Sequence, residues 1–263
     1  MQPPLLASLS VIADRSRLTL MRQMLTQLKR QSYTNIHIII VNATGTPVFT
    51  SHNDRVIEIT ADPNGLTTPA ALRNIGINNT QAPWVILTDD DDVHHPQLFT
   101  TMMAHRRDGA ACTLGYQLRV EVSQGNGMGC LIADERGIPG TMLFPRTVGG
   151  VAVQFDAQAV TDVERKFLDT NFGDQVVVIE NDAFRFPGPA LHIAVWHGRN
   201  VLSREAFFGQ YADPQYAKHW VKIEVEGGPP QEEFDRYVVW AFKQRGLQLN
   251  LQPGGQTSEK ASA

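Results

Sequence analysis

The apolar positions of this chain fall into short β-branched runs separated by stretches of helical spacing. Leu5 to Ala13 ("LLASLSVIA") is rich enough in Val, Ile and Leu for a strand buried on both faces, and the polar residues Asp14 to Arg17 end it. In "LTLMRQMLTQLKRQ", Leu18, Met21, Leu25 and Leu28 recur at intervals of three and four, which predicts an amphipathic helix. "NIHIIIVNATG" returns to a β-branched run closed by Gly45, and Arg55 to Thr60 ("RVIEIT") predicts a weaker strand. Pro69 to Ile77 reads as a helix with proline at its start, where a missing N–H costs nothing. Trp84 to Leu87 is the next strand, and a helix is expected from Gln97 to about Arg107.

Further on the pattern loosens. "SQGNGMGCLIADERGIPG" holds four glycines from Gly125 to Gly137 and a fifth at Gly140, which predicts a loop or hairpin between strands near Gly115–Val122 and Thr141–Phe144. "DTNFGDQVVVIE" reads as a helix-to-loop passage, and "ALHIAVWHGRN" as a strand with a polar exit. Residues 226–230 ("EGGPP") break the chain, Glu232 to Gln244 predict a terminal helix, and Gln252 to Ala263 a disordered polar tail. Alternating strands and helices predict an α/β fold: a mostly parallel sheet with helices on both faces. Ligands then bind outside the carboxyl ends of the strands.

The strand Trp84–Leu87 runs directly into "TDDDDVHHP". Four adjacent carboxylates repel one another, and at a strand exit Asp89 and Asp91 share one face while Asp90 and Asp92 share the other. Two convergent carboxylates make a hard-oxygen site suited to Mg²⁺ or Mn²⁺, with waters and substrate phosphates completing the shell. The bland alternative is a solvated acidic turn. A net charge of −4 argues against a nucleic-acid partner. The two cysteines, Cys112 and Cys130, form no CxxC pair, so no zinc site is expected and a reducing compartment fits. The start lacks a basic n-region and no apolar run reaches membrane-spanning length, so the expectation is a cytoplasmic chain without an integral membrane segment, with peripheral attachment at the inner membrane face left open. The oligomeric state is not readable.

Five stretches stand in the order of a known family. "SVIADRSR", "QSYTNIHIIIVNATG", "NGLTTPAALRNIGI" (Asn64 to Ile77), "LTDDDDVHHP" and "GTMLFPR" resemble segments of the family-2 glycosyltransferases with the GT-A fold, over roughly residues 8 to 204. Those enzymes typically carry "SVIIPTYNR", "NxEIIIVDDGS", "NxGxxxARNxGI" and "LDDDDxxxP", and an acceptor-side strand similar to the last stretch. The resemblance implies a GT-A catalytic domain over 1–225, with a nucleotide-binding half (1–96) and an acceptor half (97–225) that adds a smaller mixed sheet; 226–251 would hold the C-terminal helix and 252–263 the tail. It implies transfer of a sugar from a nucleotide-diphosphate donor to a hydroxyl of a glycan, lipid-linked or small acceptor, usually with inversion, assisted by Mn²⁺ or Mg²⁺.

By the same resemblance Asp91 would bind the cation, and Asp89 the cation's shell or the ribose. Asp90 and Asp92 would orient the loop or cap the next helix. Arg73, in "LRN", would face the nucleotide, the alternative being a surface helix arginine. His197, in "VWHGRN", would supply a third ligand or a diphosphate contact, with Arg199 and Arg204 on a loop over the phosphates. Asp174, in "FGDQ", is the candidate general base, with a helix N-cap as its alternative and Asp156, Asp169 and Asp182 as substitutes. His94 and His95 read as packing or acceptor-site residues, and Trp196 and Trp220 as core or sugar-stacking rings. Two departures matter. "VNATG" puts Asn42 where the family carries the aspartate of "VDDGS"; an amide both donates and accepts, which shifts weight from UDP towards GDP or dTDP. In "ADRSR", Asp14 either takes over a nucleotide contact or caps the following helix.

Rival readings are weaker. A sugar-nucleotide pyrophosphorylase needs a glycine-rich loop after the first strand, and "ADRSRL" has no glycine. A phosphatase of the haloacid-dehalogenase type carries its aspartates after the first strand, not the fourth. The remaining alternative is a degenerate GT-A domain that binds nucleotide or a partner subunit without turnover.

Overall fold

The computed structural model describes residues 5–49, 55–121, 128–159, 162–180, 191–196, 200, 202–213, 220–222, 224–225 and 250–251. The chain divides into two units, one of residues 1–116 and 133–181, the other of 117–132 and 182–263.

The first unit contains β1 (Leu6–Ile12), α1 (Leu18–Leu28), β2 (Ile36–Asn42), β3 (Val56–Thr60), α2 (Pro69–Asn79), β4 (Trp84–Leu87), the two-residue β5 (Val93–His94) and α3 (Leu98–Ala104). Then come β6 (Ala111–Glu121) and β7 (Met128–Pro145), which both continue into the second unit, the short hairpin β8 (Thr147–Val148) and β9 (Val151–Ala152), α4 (Val163–Asn171) and β10 (Val176–Ile179). β1 is flanked by β2 and β4, both parallel to it, and β3 lies parallel on the outer side of β2. β7 runs antiparallel to β4, pairing Trp84 with Pro145 and Ile86 with Leu143, and β10 runs parallel to β6. The sheet is mixed and mostly parallel, with helices packed on it, as the alternating pattern predicts.

Register places the site. Ile12 pairs with Asn42 and Leu9 with Leu87, so the segments that follow β1, β2 and β4 leave the sheet at one edge. β1 is apolar because both its faces are covered: Leu6, Ala7, Leu9 and Ile12 are all buried. α1 turns Met21, Met24, Leu25 and Leu28 inward, the stripe its spacing predicts. α2 starts where expected, with Thr68 as N-cap accepting from Ala71 N at 3.2 Å and Pro69 in the first turn.

Two expectations are corrected. From Met128 onward the glycine-rich stretch is strand rather than loop: β7 is one strand of 18 residues lying beside β6, and residues 122–127 lie outside the described residues. Glycine disfavours strands only weakly, and pairing with β4 at one end and with Trp220–Lys222 at the other overrides that preference. Within β7, Gly137 sits at φ +76, and a Cβ there would run into the buried Thr113 Oγ1. Gly137→Ala is therefore expected to lower stability by about 2 kcal/mol, combining left-handed backbone strain with overpacking; a urea midpoint equal to wild type would refute it. The second correction concerns "VVVI", which forms β10 rather than loop. Val176 to Ile179 gain a ladder against Ala111 to Leu114, a long-range pairing with no local signal.

The second unit contains the outer ends of β6 and β7, β11 (His192–Trp196), α5 (Arg204–Phe208), β12 (Trp220–Lys222), β13 (Glu224–Val225) and β14 (Asn250–Leu251). β11 is the strand expected from "ALHIAVW" and runs parallel to β6, Ile193 opposite Leu118 and Trp196 opposite Glu121. β12 pairs antiparallel with β7, and β13 with β14 forms a small separate sheet. Cys130, Ala194, Phe207 and Phe208 form its apolar cluster, against which Trp196 packs. Both cysteines are buried free thiols, and burial pushes Cys112 to about 11 and Cys130 to about 12. The expected terminal helix and tail lie outside the described residues. Among the described residues no helix is long and apolar enough to cross a membrane.

Candidate functional site

The acidic segment is fastened at its base before it leaves the sheet. Thr88, the residue after β4, is buried, and its N–H donates to Leu9 O at 3.1 Å. Its hydroxyl lies 2.6 Å from Ser10 Oγ and 3.0 Å from Ser8 Oγ, two side chains that share a face of β1. Thr88 is thus matched by two serines on the neighbouring strand.

Beyond Thr88, two arginines take up the carboxylates. Arg17 ends a single 3₁₀ turn, Arg15–Arg17, that follows β1. Its Nε donates to Asp90 Oδ2 at 2.9 Å, and its Nη2 bonds both Asp90 Oδ1 and, at 2.9 Å, Asp91 Oδ2. Arg73 rises from α2 and is 4% exposed. Its Nη2 donates to Asp89 Oδ1 at 3.3 Å, and its Nη1 binds Glu164 Oε1 in the first turn of α4. The Arg73 guanidinium lies 5.4 Å from the Phe155 ring centre, and Phe155 stacks on Phe167 at 3.9 Å. An aromatic floor, a buried cation and two carboxylates therefore share one column.

The electrostatics follow from that crowding. Burial raises the Asp89 carboxyl above its ordinary value; Arg73 pulls it down, while Asp92, Glu164 and Asp91 add to the rise. The net direction is upward, although 37% of the Asp89 side chain still meets water. Burial also raises Asp90, to about 6, against the hydrogen bonds and charge of Arg17. Burial opposes the charge on Arg73 and would raise Glu164, but the Arg73–Glu164 pair outweighs it and holds Arg73 up and Glu164 down.

The other predicted residues are spread out. Asp14 takes the capping role: its Oδ1 accepts from Ser16 N and its Oδ2 from Ser16 Oγ, each at 2.8 Å, and these bonds hold it below the usual aspartate range. Asn42, at the end of β2, is buried and turns its own loop. Its Oδ1 accepts from Thr44 N at 2.8 Å, and its Nδ2 donates to Thr46 O at 2.8 Å and to Glu58 Oε1 at 2.5 Å. Arg73 is no surface arginine; it lies under Asp89. Arg204, expected on a loop, is instead the first residue of α5, where its Nε reaches both Glu121 oxygens at 3.0 and 3.1 Å and its Nη1 donates to Ala212 O. It belongs to the second unit.

Asp174 is exposed in the turn between α4 and β10, past a helix C-terminus, so it is not an N-cap. Asp156 accepts from Gln158 N, and Asp169 pairs with Arg136 at 2.7 Å. His94 is buried, and burial lowers His95 to about 4, its Nδ1 accepting from Gln97 N at 3.1 Å. His197, Arg199 and Asp182 lie outside the described residues. Trp196 packs edge-on against Phe208, 6.5 Å between ring centres.

Sequence reading missed Arg17 and Glu164. Arg17 lay in the stretch where only Asp14 was weighed; its signal was position, at the carboxyl edge of the sheet. Glu164 carried no signal, since nothing near it in sequence links it to the acidic run. Among the described residues, no three His, Cys, Asp or Glu side chains converge as a closed metal site. Asp89 and Asp91 are hard oxygen donors of the kind that hold Mg²⁺ or Mn²⁺ when substrate phosphate and water complete the shell, so the donor set fits an open site.

Residues 15–139 match the family described as Glycosyl transferase family 2. Among solved structures the fold is similar to S. aureus TarS 1-349 in complex with UDP, with 10% identity and TM-score 0.53 over 91% of this chain and 71% of that one. It is also similar to mannosyltransferase PcManGT from Pyrobaculum calidifontis in complex with GDP-Man and Mn²⁺, with 9% identity and TM-score 0.50 over 92% and 71% of the two chains. In another TarS 1-349 structure, matched at 9% identity and TM-score 0.51 over 72% of this chain, the chain spans 60% of the other's length. Likeness at these identities is likeness of fold. A search of curated proteins gives no match.

Proposed function

We propose that this chain, of which residues 15–139 match Glycosyl transferase family 2, moves a sugar from a nucleotide-diphosphate donor to a hydroxyl of a glycan, lipid-linked or small acceptor. The observation that carries the reading is the acidic segment Asp89–Asp92 at the carboxyl end of β4, pinned by Thr88 and clamped by Arg17 and Arg73. That edge of an α/β sheet is where ligands bind. The similar PcManGT structure is a complex with GDP-Man and Mn²⁺. Here Asp91 and Asp89 would hold Mn²⁺ or Mg²⁺, with His197 as the candidate third ligand. Such a cation, when bound, neutralises charge that develops on a departing diphosphate.

The chain's own residues supply orientation and proton handling. Thr88 and its two serines fix where the carboxylates emerge. Arg73 holds Asp89 from beneath rather than touching the donor, and Arg199 remains the candidate cation towards the phosphates, Arg204 being engaged by Glu121. Asp174, on an exposed turn whose next carbonyl, Gln175 O, accepts from Ala111 N at 3.0 Å, is the candidate base that takes the acceptor hydroxyl's proton in an inverting transfer. With Asn42 committed to its own loop and no carboxylate at that position, GDP and dTDP donors rank ahead of UDP.

The test is a thermal-shift screen of UDP, GDP, CDP and dTDP, each with and without Mn²⁺, followed by turnover of the matching nucleotide sugar. Stabilisation by one nucleotide only with Mn²⁺, together with release of that diphosphate, supports the proposal. Binding without turnover would favour the degenerate-domain reading, which the loss of a carboxylate at position 42 also suits. No stabilisation by any nucleotide would sink both as donor-binding readings.

Proton competition gives a second handle. A raised Asp89 keeps its proton well above the ordinary aspartate value of about 3.9, and a cation must displace it. Mn²⁺ affinity is therefore expected to rise with pH and to level off once Asp89 has lost its proton. Isothermal titration at three pH values checks this; a flat profile would remove Asp89 from the ligand set.

A further inference from the structure

We propose that Arg17 is a built-in counter-cation of the acidic loop, a positioning residue that competes with a divalent cation for Asp91 while keeping its hold on Asp90. The inference rests on the cation reading above and adds to it a residue whose effect has a definite sign.

The two halves of the Arg17 contact are unequal. Asp90 is held by the fork of the guanidinium, Nε on Oδ2 at 2.9 Å and Nη2 on Oδ1, and its side chain is only 5% exposed. From Arg17, Asp91 receives only a contact with the same Nη2, at 2.9 Å, and Arg17 itself remains 25% exposed. A planar, two-pronged pair is the stronger and more directional contact, whereas a shared single bond is the one that yields. Arg17 also stands on a rigid base. The turn it ends is capped by Asp14 through Ser16 N and Oγ, and α1 begins at the next residue, so the backbone from which the guanidinium reaches Asp90 is fixed. A cation drawn to Asp91 therefore competes with the Arg17 Nη2 contact and meets a positive charge a few ångströms away.

Arg17 would have opposite effects on the empty and the loaded loop. Without a cation it offsets the mutual repulsion of four adjacent carboxylates and keeps the loop in shape. With a cation it is a like charge that weakens binding. Removing it should destabilise the metal-free protein and tighten cation binding at the same time. A merely structural arginine would give the first effect without the second, and a residue that orients ligands productively would weaken binding when lost.

The experiment is a titration of the full chain with Mn²⁺ alone, by calorimetry, on wild type, Arg17→Gln and Arg17→Lys, with circular dichroism to check the fold. Arg17→Gln is expected to bind Mn²⁺ at least about tenfold tighter, as removal of one unit charge at such a distance implies. Its Tm should be lower without Mn²⁺ and should rise more than wild type's when Mn²⁺ saturates. Arg17→Lys, which keeps the charge but loses the fork, should fall between the two, and it serves as the readout if the glutamine variant does not fold. Equal or weaker Mn²⁺ binding in the folded variants, with wild type binding normally, would overturn the role of Arg17 and leave the cation reading standing. If no form takes up Mn²⁺, both fall. Uptake by Arg17→Gln but not by wild type would mean that the arginine closes the site outright, which upholds the inference.

Discussion

Asp91→Asn is expected to lower turnover on the order of 10³-fold while leaving the fold intact. The amide has almost the shape of the carboxylate, and its oxygen can still accept the hydrogen bond that Arg17 Nη2 gives to Asp91 Oδ2. What disappears is the charge. In the role proposed for Asp91, holding positive charge against a departing diphosphate, loss of one such electrostatic contact typically costs about 10²–10³ in rate, and loss of the proposed cation ligand would act in the same direction. The check is steady-state release of the nucleoside diphosphate at saturating donor and Mn²⁺, beside the unfolding midpoint of the same preparation. A loss below about tenfold would place the chemistry elsewhere on the molecule.

The second large effect is on stability. Arg73→Met keeps much of the volume of the side chain and its contact with Phe155, but it strips Asp89 and Glu164 of their shared partner. Breaking a buried ion pair from one side typically costs about 3–5 kcal/mol, because the other charge is left uncompensated. Glu164 and Asp89 keep 28% and 37% of their side chains in water, which moves the expectation to the lower end. About 3 kcal/mol corresponds to a fall of roughly 6–12 °C in Tm for a domain of this size. Adding Glu164→Leu to Arg73→Met should recover part of it, since one stranded carboxylate is then gone, and that non-additivity marks a direct pair. A single variant within about 1 kcal/mol of wild type would show that Arg73 bears no such burden.

The contrast between these two aspartates and their arginines shows what could be read from the sequence. The acidic run was legible because its four members are neighbours and follow a strand with an unmistakable apolar run, so local pattern alone placed them at the ligand-binding edge. β1, α1, β2 and α2 were legible for the same reason, being set by period and cap. Arg73 was legible as a residue of interest but not in its orientation. The same "LRN" fits an arginine aimed at a ligand and one turned beneath Asp89, and the contacts with Phe155 and Glu164 carry no local signal. The bonds of Asn42 to Thr46 and Glu58 in its own loop have no sequence signature. β7 misled for a physical reason: the local cost of glycine is small, and ladders formed far along the chain outweigh it. Arg17 resembled any solvated arginine before a helix until the carboxylates were brought to it.

The column under Asp89 also bears on how the protein is made. Its cation comes from residue 73, its aromatic floor from 155 and its last carboxylate from 164, and the unit that holds all three is interrupted by residues 117–132, which belong to the other unit. A ribosome therefore delivers Arg73 long before Glu164. Until that residue emerges, the nascent chain carries a cation destined for burial with half of its neutralising partners missing, and the contacts that close the column are among the most distant in sequence, the kind that form slowly. The acidic edge can be completed only late in translation, so any product that stops short of α4 would present the aspartates without the support that holds them in place.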